Sequence, residues 1–591
     1  MAYQQWIIFG VLLLTLILFI SGRWRYDVVA LLALLVVVIT GLVPGEAAFS
    51  GFSNPAVITV AAVLVLSKGL QNSGLVELIG QALVRMKGGL SVQILALTLI
   101  IALFSAFMNN VGALALLLPV ALQISAKKQI PASKLLMPLA FASLLGGMTT
   151  LIGTPPNIIA SSVRAQSGGA PFGMFDLSLV GVGVAAAGIL FISLAGWRLI
   201  PTRRGRGAND HLFDVEKYIT EVRVSEDSPV VGIRLRDVNS LLKTQVNILG
   251  LVRGEERRLE PSSLTILRAG DILIVSADTE NLKKLVAKPG LALVGSQEIR
   301  RADLETAEVR LVEAVVMGNA MLVGQTARSL GLRSQYGVNL LAVARQGSLL
   351  WNRLDKTLFR TGDVLLLQSH VETLREVLAT LGCLPLAERD IRLAPARSLL
   401  LPLAIFLAAL LLSAFGVLPV QVAFVAGAVG MILAKTLTLQ EAYQAVDWPI
   451  LILLGAMIPV GGALETTGAA QSIASLLLHN GAGLPDAVTL GLVLVTTMFL
   501  SDLVNNAAAV VLMAPVGIQI ANGLGASVDP FLIAIAIGAS CAFLTPIGHQ
   551  SNTLVMGPGG YKFGDYWRMG LLLEVIVAAV SIPLILRFWP F

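Results

Sequence analysis

The chain has 591 residues, of which 56% are hydrophobic and 13% charged, and its formal net charge is +6. Soluble domains carry about 25% charged residues, so this composition excludes an ordinary soluble protein. The cations lie mainly between apolar runs and in one central segment, as expected from membrane orientation rather than from nucleic-acid binding. No Ser-His-Asp arrangement, His/Cys cluster or lysine-containing phosphate loop is present, so we expect no enzyme.

Three blocks divide the chain: residues 1–200 and 396–591 are apolar, and residues 201–395 carry most of the charge. The apolar runs are close to the roughly 20 residues that a membrane-spanning helix needs. In the first block we predict crossings near 4–22, 27–44, 55–71, 134–163 and 175–199, with a helical pair near 91–126. In the last block we predict crossings near 397–415, 419–436, 448–464, 530–557 and 568–589, with a pair near 487–521. The pattern indicates a polytopic α-helical membrane protein with a soluble insert.

The two apolar blocks repeat each other. Three polar residues recur 396 positions later, which pairs Ser105, Asn109 and Asn110 with Ser501, Asn505 and Asn506. Two more recur 395 positions later, which pairs Gly153 and Asn157 with Gly548 and Asn552. Offsets that stay nearly constant over this length indicate an internal duplication.

The distribution of Lys and Arg predicts how the repeats are oriented. If the N-terminus is outside, the basic loops and the insert at 201–395 all fall in the cytoplasm, with exceptions at Arg164 and Arg587. This requires the pairs 91–126 and 487–521 to be re-entrant hairpins, so each half makes five crossings. We therefore predict two inverted repeats in the plasma (inner) membrane, each with a hairpin and a broken helix, and both termini outside.

The insert is itself duplicated at an offset of 92 residues, so that Gly270-Asp271 recurs as Gly362-Asp363. Alternating apolar residues predict three strands in each copy, which form a half-buried sheet. The predicted strands are 219–224, 246–253 and 271–276 in the first copy, and 311–316, 338–345 and 363–368 in the second. We expect a tandem of α+β modules at 201–300 and 301–395, each with a closing helix, between linkers near 203–209 and 387–397.

Asn109-Asn110 and Asn505-Asn506 are the strongest candidates for a binding site. Adjacent amides in an apolar setting are costly unless they are paired. At hairpin tips their oxygens would face a cavity, and helix N-termini would direct N–H donors at an anion. The alternative is that they only hydrogen-bond to neighbouring helices. Their occurrence at equivalent positions in both halves favours a site.

A second candidate is an unwound stretch in each half, at 146–157 and 545–552. Prolines there break the helix, and irregular backbone at membrane depth is tolerated only where it is buried or lines a cavity. Freed carbonyls and hydroxyls suit sodium; a structural kink is the alternative. His549 either binds the anion or caps the broken helix, and Asp502 is either an external gate or, as we expect, a solvated surface charge.

At these residues the chain resembles the divalent anion/sodium symporter family. That family carries Ser-Asn-Thr at both hairpin tips; here Asn109-Asn110-Val111 and Asn505-Asn506-Ala507 retain only the central Asn. Pro155-Pro156-Asn157 matches the family's Pro-Pro-Asn stretch. The run from Thr545 to Tyr561 is similar to the sulfate-permease branch, which also carries central modules like the C-terminal (TrkA-C) domains of potassium-uptake regulators.

The resemblance implies an elevator-type symporter, a homodimer within the lipid bilayer, with sodium as coupling ion and no other cofactor. The anion-binding residues it implies are Asn109, Asn110, Thr154, Asn505, Asn506, Ala507, Gln550 and Ser551. The sodium ligands it implies are Ser105, Asn110, Thr150, Gly153, Ser501, Asn506, Thr545 and Gly548. The modules are then either a binding site for a nucleotide or other small regulator, or a dimerising scaffold.

Sulfate is the expected cargo, because amides in place of the outer hydroxyls would shrink the pocket and donate N–H groups to an oxyanion. A di- or tricarboxylate is the alternative on the same fold. We expect no charged residue at the site, so sodium and helix dipoles must balance the anion. A cation channel or antiporter gated by the insert would need a Thr-Val-Gly-Tyr-Gly-like filter or buried carboxylates in mid-span. The sequence predicts neither.

Overall fold

The computed structural model contains long apolar helices in two blocks of the chain, with two small β-sheets between these blocks in sequence. It describes residues 2–21, 24–73, 83, 86, 88–203, 219–238, 241, 247–254, 256–259, 261–262, 264–276, 291–293, 309–318, 320–345, 348–350, 354–386, 400–480 and 485–591. Most of both predicted linkers and the closing helix of the first module lie outside these residues.

Eight α-helices precede the insert in the part of the chain that the structure describes. They are α1 (Ala2–Ser21), α2 (Tyr26–Ile39), α3 (Pro55–Gln71), α4 (Leu90–Ser105), α5 (Asn110–Lys128), α6 (Ser133–Gly147), α7 (Pro155–Gln166) and α8 (Ser178–Leu199), the last of which contains a π-helical turn at Ile192–Gly196. The predicted pair near 91–126 corresponds to α4 and α5. The predicted crossing at 134–163 is two helices, because residues 148–154 between α6 and α7 are not helical.

The helices after the insert follow the same order. Here α9 and α10 denote Leu332–Tyr336 and Val371–Leu381 of the insert; then come α11 (Leu400–Ala414), α12 (Val420–Leu433), α13 (Leu439–Ala445), α14 (Trp448–Thr466), α15 (Ala469–Asn480), α16 (Asp486–Leu503), α17 (Asn506–Leu524), α18 (Asp529–Ala539), α19 (Gln550–Gly559) and α20 (Trp567–Phe588). The α5 and α17 helices begin and end 396 residues apart. The break in the predicted crossing 530–557 separates α18 from α19.

Length and hydropathy make eight helices of the described chain candidates for membrane spans, and six further apolar helices are shorter. The molecule is therefore a multi-pass membrane protein. The halves interlock: α7 of the first packs on α17 and α18, and α19 of the second packs on α5 and α6. Likewise α2 packs on α14, and α3 on α12. Each half thus supplies one segment of its broken helix to the hairpin of the other.

Each insert copy forms a five-stranded antiparallel sheet. The strands are β1 (Ile219–Val224), β2 (Asn247–Arg253), β3 (Glu256–Leu259), β4 (Ile272–Ser276), β5 (Leu291–Leu293), β6 (Val309–Val316), β7 (Asn339–Arg345), β8 (Ser348–Leu350), β9 (Val364–His370) and β10 (Cys383–Pro385). The orders β5-β1-β4-β2-β3 and β10-β6-β9-β7-β8 are equivalent. The three strands predicted for each copy are present. The other two are only three or four residues long, too short for a clear alternating pattern.

The repeated Gly-Asp pair has the same structural role in both modules. The Asp271 carboxylate accepts hydrogen bonds from Arg253 at 2.8 and 2.7 Å, and Asp363 accepts equivalent bonds from Arg345 at 2.8 Å. Burial of Asp271 opposes ionisation, but the Arg253 guanidinium and the Arg268 N–H hold the pKa of its carboxyl below the usual value. This buried ion pair anchors the turn before β4.

Both faces of the second sheet are buried. Along β9, Leu365 and Leu367 join the core of the module, whereas Val364 and Leu366 belong to the same apolar cluster as the membrane helices. Because successive side chains of a strand point to opposite faces, one face packs inside the module and the other joins the membrane block. The predicted half-buried sheet is therefore wrong for this copy.

Candidate functional site

The hairpin tips begin with two asparagines that act as helix caps. Asn109 Oδ1 accepts the Val111 N–H at 3.0 Å at the start of α5, and Asn505 Oδ1 accepts the Ala507 N–H at 2.9 Å at the start of α17. Asparagine is a favoured residue at this position because its side chain satisfies a free N–H group. One lone pair of each of these two side-chain oxygens is therefore used to cap a helix, a role that was not predicted from the sequence.

Asn110 lies in a cage of oxygen atoms and is only 2% exposed. One heavy atom of its side-chain amide lies 2.7 Å from Ser105 Oγ and 3.2 Å from the carbonyl oxygens of Ser143 and Gly153. If this atom is the amide nitrogen, its two N–H groups face three acceptor oxygens. If it is the amide oxygen, it completes a set of four oxygens suited to a cation. The tip of the first hairpin thus meets the first broken helix at one point.

The second half has an equivalent cage around Asn506. Ser501 Oγ lies 3.0 Å from Asn506 Oδ1 and 2.5 Å from the carbonyl oxygen of Ala539. Ala539 is 396 residues after Ser143, so the same backbone carbonyl is used in both cages. The two carbonyls were not predicted, because any residue type can supply a backbone oxygen.

Threonines join each hairpin to the neighbouring unwound stretch. Thr150 Oγ1 donates to the carbonyl oxygen of Ala106, and Thr545 Oγ1 donates to that of Asp502 at 2.7 Å. Both hydroxyls were predicted to bind sodium. Here each hydrogen atom is used within the protein. The Thr150 lone pairs remain for a cation. In contrast, Thr545 Oγ1 also accepts the N–H groups of Ile547 and Gly548, both at 3.2 Å.

Asn157 and Asn552 hold the unwound stretches closed. Asn157 Nδ2 donates to the carbonyls of Gly147, at the end of α6, and Thr150, within the break, at 3.2 and 2.7 Å. Asn552 Nδ2 bonds in the same way to Ala542 and Thr545, at 2.6 and 3.2 Å. The sequence indicated this pair of asparagines only through the duplication. The duplication did not show which groups accept hydrogen bonds from their amides.

Several buried polar atoms at the site have no hydrogen-bond partner among the described residues. They are Thr154 Oγ1, Asn157 Oδ1, Asn506 Nδ2, Ser551 Oγ and Asn552 Oδ1. Buried polar groups in folded proteins are almost always bonded, so this set is unusual. It offers two hydroxyls and an amide as donors, and two amide oxygens as acceptors. Thr154, Asn506 and Ser551 were predicted to bind the anion.

Gln550 does not join this group. Its side chain bonds to Tyr26 and contacts Gly318 of the insert. His549 caps α19, since its Nδ1 accepts the Ser551 N–H at 3.0 Å. Its Nε2 lies 3.4 Å from the side-chain amide of Asn110, which brings the second broken helix to the first hairpin tip. The capping alternative for His549 is therefore confirmed.

Asp502 is buried, with 2% of its surface exposed, so the prediction of a solvated surface charge is wrong. Its Oδ1 accepts the Leu544 N–H at 2.9 Å, and its carboxyl group lies within hydrogen-bond reach of Glu574 on α20. In the first half Ala106 and Ala185 occupy the equivalent positions, since α8 and α20 begin 389 residues apart. The predictions of no charged residue at the site and of no buried carboxylate in mid-span are wrong as well.

Asp502 Oδ2 and Glu574 Oε1 both lack a donor among the described residues. Two adjacent carboxylates repel each other in a buried setting, so a proton shared between them would satisfy both oxygens. We expect Glu574→Gln to keep near-normal stability, because its amide supplies the donor. Glu574→Ala leaves a buried, unpaired carboxylate and should lose about 3 kcal/mol.

Thermal unfolding of the purified protein measures this difference. Glu465→Ala is the matched control, since Glu465 is exposed on α14. If the Gln variant is as unstable as the Ala variant, a negative charge rather than a hydrogen-bond donor is what Asp502 requires.

Arg164, an exception to the predicted charge distribution, is paired. Its guanidinium donates to both carboxylate oxygens of Asp529 at 2.7 and 2.6 Å, and it stacks on the Phe172 ring at 4.5 Å. The pair joins the end of α7 to the start of α18. Because Asp529 neutralises its charge, Arg164 counts little when the distribution of Lys and Arg is used to predict orientation in the membrane.

The known proteins that this chain is similar to are transporters. The citrate transporter family matches residues 16–526 and 486–590. An uncharacterized transporter from Synechocystis sp. is 32% identical over 99% of this chain and 97% of its own length, and one from Escherichia coli is 30% identical over 99% of both. Sodium/sulfate cotransporter 2 from Chlamydomonas reinhardtii is 25% identical over 62% of this chain and 42% of its own length. These are transporters, not enzymes, and the chain belongs to the citrate transporter family.

Proposed function

We propose that the protein is a sodium-coupled symporter that carries a small divalent anion, with sulfate as the first candidate, by elevator-type alternating access. The observation that carries this proposal is the pair of equivalent cages, one around Asn110 and one around Asn506. Each combines a serine hydroxyl, an asparagine amide and a backbone carbonyl at the foot of a helix N-terminus.

The cages suit sodium because they supply neutral oxygen atoms at broken helices. Unwound carbonyls coordinate sodium in transporters of inverted-repeat architecture. In the first cage Ser105, Asn110, Ser143 and Gly153 provide the oxygens; in the second, Ser501, Asn506 and Ala539 provide three. Thr150 adds lone pairs to the first cage, and Thr545 is the proposed ligand at the equivalent place in the second. Gly548 lies where Gly153 lies in the first half.

The unsatisfied donors suit an anion between the cages. Thr154 and Ser551 each hold a hydroxyl group, and Asn506 Nδ2 an amide, without a partner among the described residues. Neutral donors can solvate an oxyanion while bound sodium and the positive ends of helix dipoles balance its charge. Asn109 and Asn505 contribute backbone groups at the tips, and Ala507 lies beside them with its N–H bonded to Asn505 Oδ1. The sodium/sulfate cotransporters among the relatives support sulfate.

A di- or tricarboxylate is the second candidate, favoured by the match to the citrate transporter family. It needs the same fold and the same sodium cages but a larger pocket. Proton-coupled transporters use buried carboxylates such as the Asp502–Glu574 pair. The experiment must therefore distinguish proton coupling from sodium coupling.

The organisation we propose has inverted repeats at 1–200 and 396–591 and TrkA-C-like modules at 201–300 and 301–395. The interlocked packing of α7 and α19 supports two equivalent halves. Both termini would lie outside the plasma membrane, with the modules in the cytoplasm, where they bind a nucleotide or other small regulator. The working unit would be a homodimer.

Uptake of labelled sulfate into proteoliposomes tests the function. We expect accumulation that requires an inward sodium gradient, and competition that ranks sulfate above succinate, citrate, phosphate and molybdate. Full-rate uptake without sodium refutes coupling to it; a proton gradient that replaces sodium identifies the proton instead. Stronger competition by citrate selects the carboxylate alternative. Potassium flux without anion uptake would indicate a channel or antiporter.

A further inference from the structure

The second insert module contacts the broken helix α19 through glycines. A Cβ atom on Gly557 would lie 2.3 Å from the carbonyl oxygen of Gly362, and one on Gly362 would lie 2.7 Å from that of Thr553. A Cβ atom on Gly318 would lie 3.1 Å from Cδ of Gln550. The β6 strand packs on α19 as well. Backbone therefore meets backbone at this contact, at a separation that larger side chains would prevent.

The first module does not make the equivalent contact. Gly270 corresponds to Gly362 at the offset of 92 residues, and both adopt a left-handed backbone, with φ of +85° and +82°. Turn geometry therefore explains a glycine at both positions. However, no atom of the described residues lies within 4 Å of a Cβ position on Gly270, and Glu226 stands where the second module has Gly318. Within the part of the insert that the structure describes, only the second copy makes this glycine contact with α19.

The contact is adjacent to the site. Gln550, which faces Gly318, directly follows His549, and His549 reaches the Asn110 amide at 3.4 Å. One turn further along α19, Asn552 closes the unwound stretch of the second half. A displacement of the module would therefore move the helix that carries these groups, and a fixed module would hold them in place.

We propose that the second module is a latch that holds α19 in the arrangement seen here and must release it during transport. This rests on the proposed function, because only a binding site that opens alternately to the two sides of the membrane has to move. The insert is joined in the chain to α8 and α11, whereas α19 packs on the first hairpin through α5 and α6. If the hairpins and broken helices move as a unit across the membrane, the contact between Gly318 and Gln550 has to separate.

A disulfide across the contact tests the latch in the full-length protein. A Cβ atom on Gly318 would lie 3.4 Å from Cγ of Gln550, so Gly318→Cys with Gln550→Cys places two thiols within bonding reach. Cys383 and Cys541 are buried and need no replacement. The control is Glu226→Cys with Gln550→Cys, which uses the equivalent turn of the first module and should not cross-link.

We expect oxidation of the test variant to reduce sodium-dependent sulfate uptake to the level of empty liposomes, and reductant to restore it. The same protein before oxidation is its own reference, so its uptake tests the proposed function separately. Full uptake by the cross-linked protein would overturn the latch.

A second readout follows the contact itself. The rate of disulfide formation should fall when sodium and sulfate are added together, because cycling separates the contact. An unchanged rate in a reduced variant that takes up sulfate would overturn the latch, whereas a reduced variant without uptake would contradict the proposed function.

Discussion

Replacing Asn110 or Asn506 by alanine is expected to raise the sodium concentration for half-maximal uptake by about tenfold or more in each variant. Each change removes an amide oxygen from a cage of buried oxygens. Loss of one partner of a buried polar cluster costs about 1–3 kcal/mol, and 1.4 kcal/mol corresponds to a factor of ten in affinity. The measurement is sulfate uptake into proteoliposomes over a range of sodium concentrations.

Two controls separate this effect from misfolding. Asn522→Ala removes an exposed asparagine at the end of α17 and should leave the sodium dependence unchanged. Asn110→Asp keeps the oxygen and adds a charge, so sodium affinity should be retained or increased. If Asn110→Ala weakened the binding of sulfate while the sodium dependence of uptake stayed normal, the amide would belong to the anion pocket alone.

Gly153→Ala and Gly548→Ala should each abolish uptake. A Cβ atom on Gly153 would lie 2.5 Å from the carbonyl oxygen of Gly147, and one on Gly548 would lie 2.6 Å from that of Ser501. Both neighbours are backbone, so the unwound stretch itself must move, and overpacking of this kind costs about 1–3 kcal/mol. Because a displaced stretch no longer lines the cage, function should suffer more than stability.

The measurement combines uptake with thermal unfolding of the same preparations. Gly462→Ala is the control, because no atom lies within 4 Å of its Cβ position in the middle of α14. We expect folded protein without uptake for the two site variants and normal uptake for the control. Normal uptake by Gly153→Ala would show that the first stretch does not contribute to a cage.

Much of the site could be predicted because its signals are local. An asparagine caps a helix through the N–H two residues along, so the hairpin tips at Asn109 and Asn505 were recognisable from the chain. Proline and glycine interrupt a helix wherever they occur, which marked the breaks before α7 and α19. Alternation along a strand is equally local, and the long strands of both modules were predicted from it.

Partners that are distant in sequence were decided only by the tertiary structure. Nothing near Asp502 indicates that Glu574 lies beside it, and nothing near Gly362 indicates that α19 covers it. The carbonyls of Ser143 and Ala539 carry no sequence signal at all. Sequence by itself predicted the duplication from residues that recur at a constant offset, and it determined the helix breaks, since these depend on neighbouring residues. Which groups meet, and which stay unpaired for a ligand, depends on packing between helices that the chain does not join.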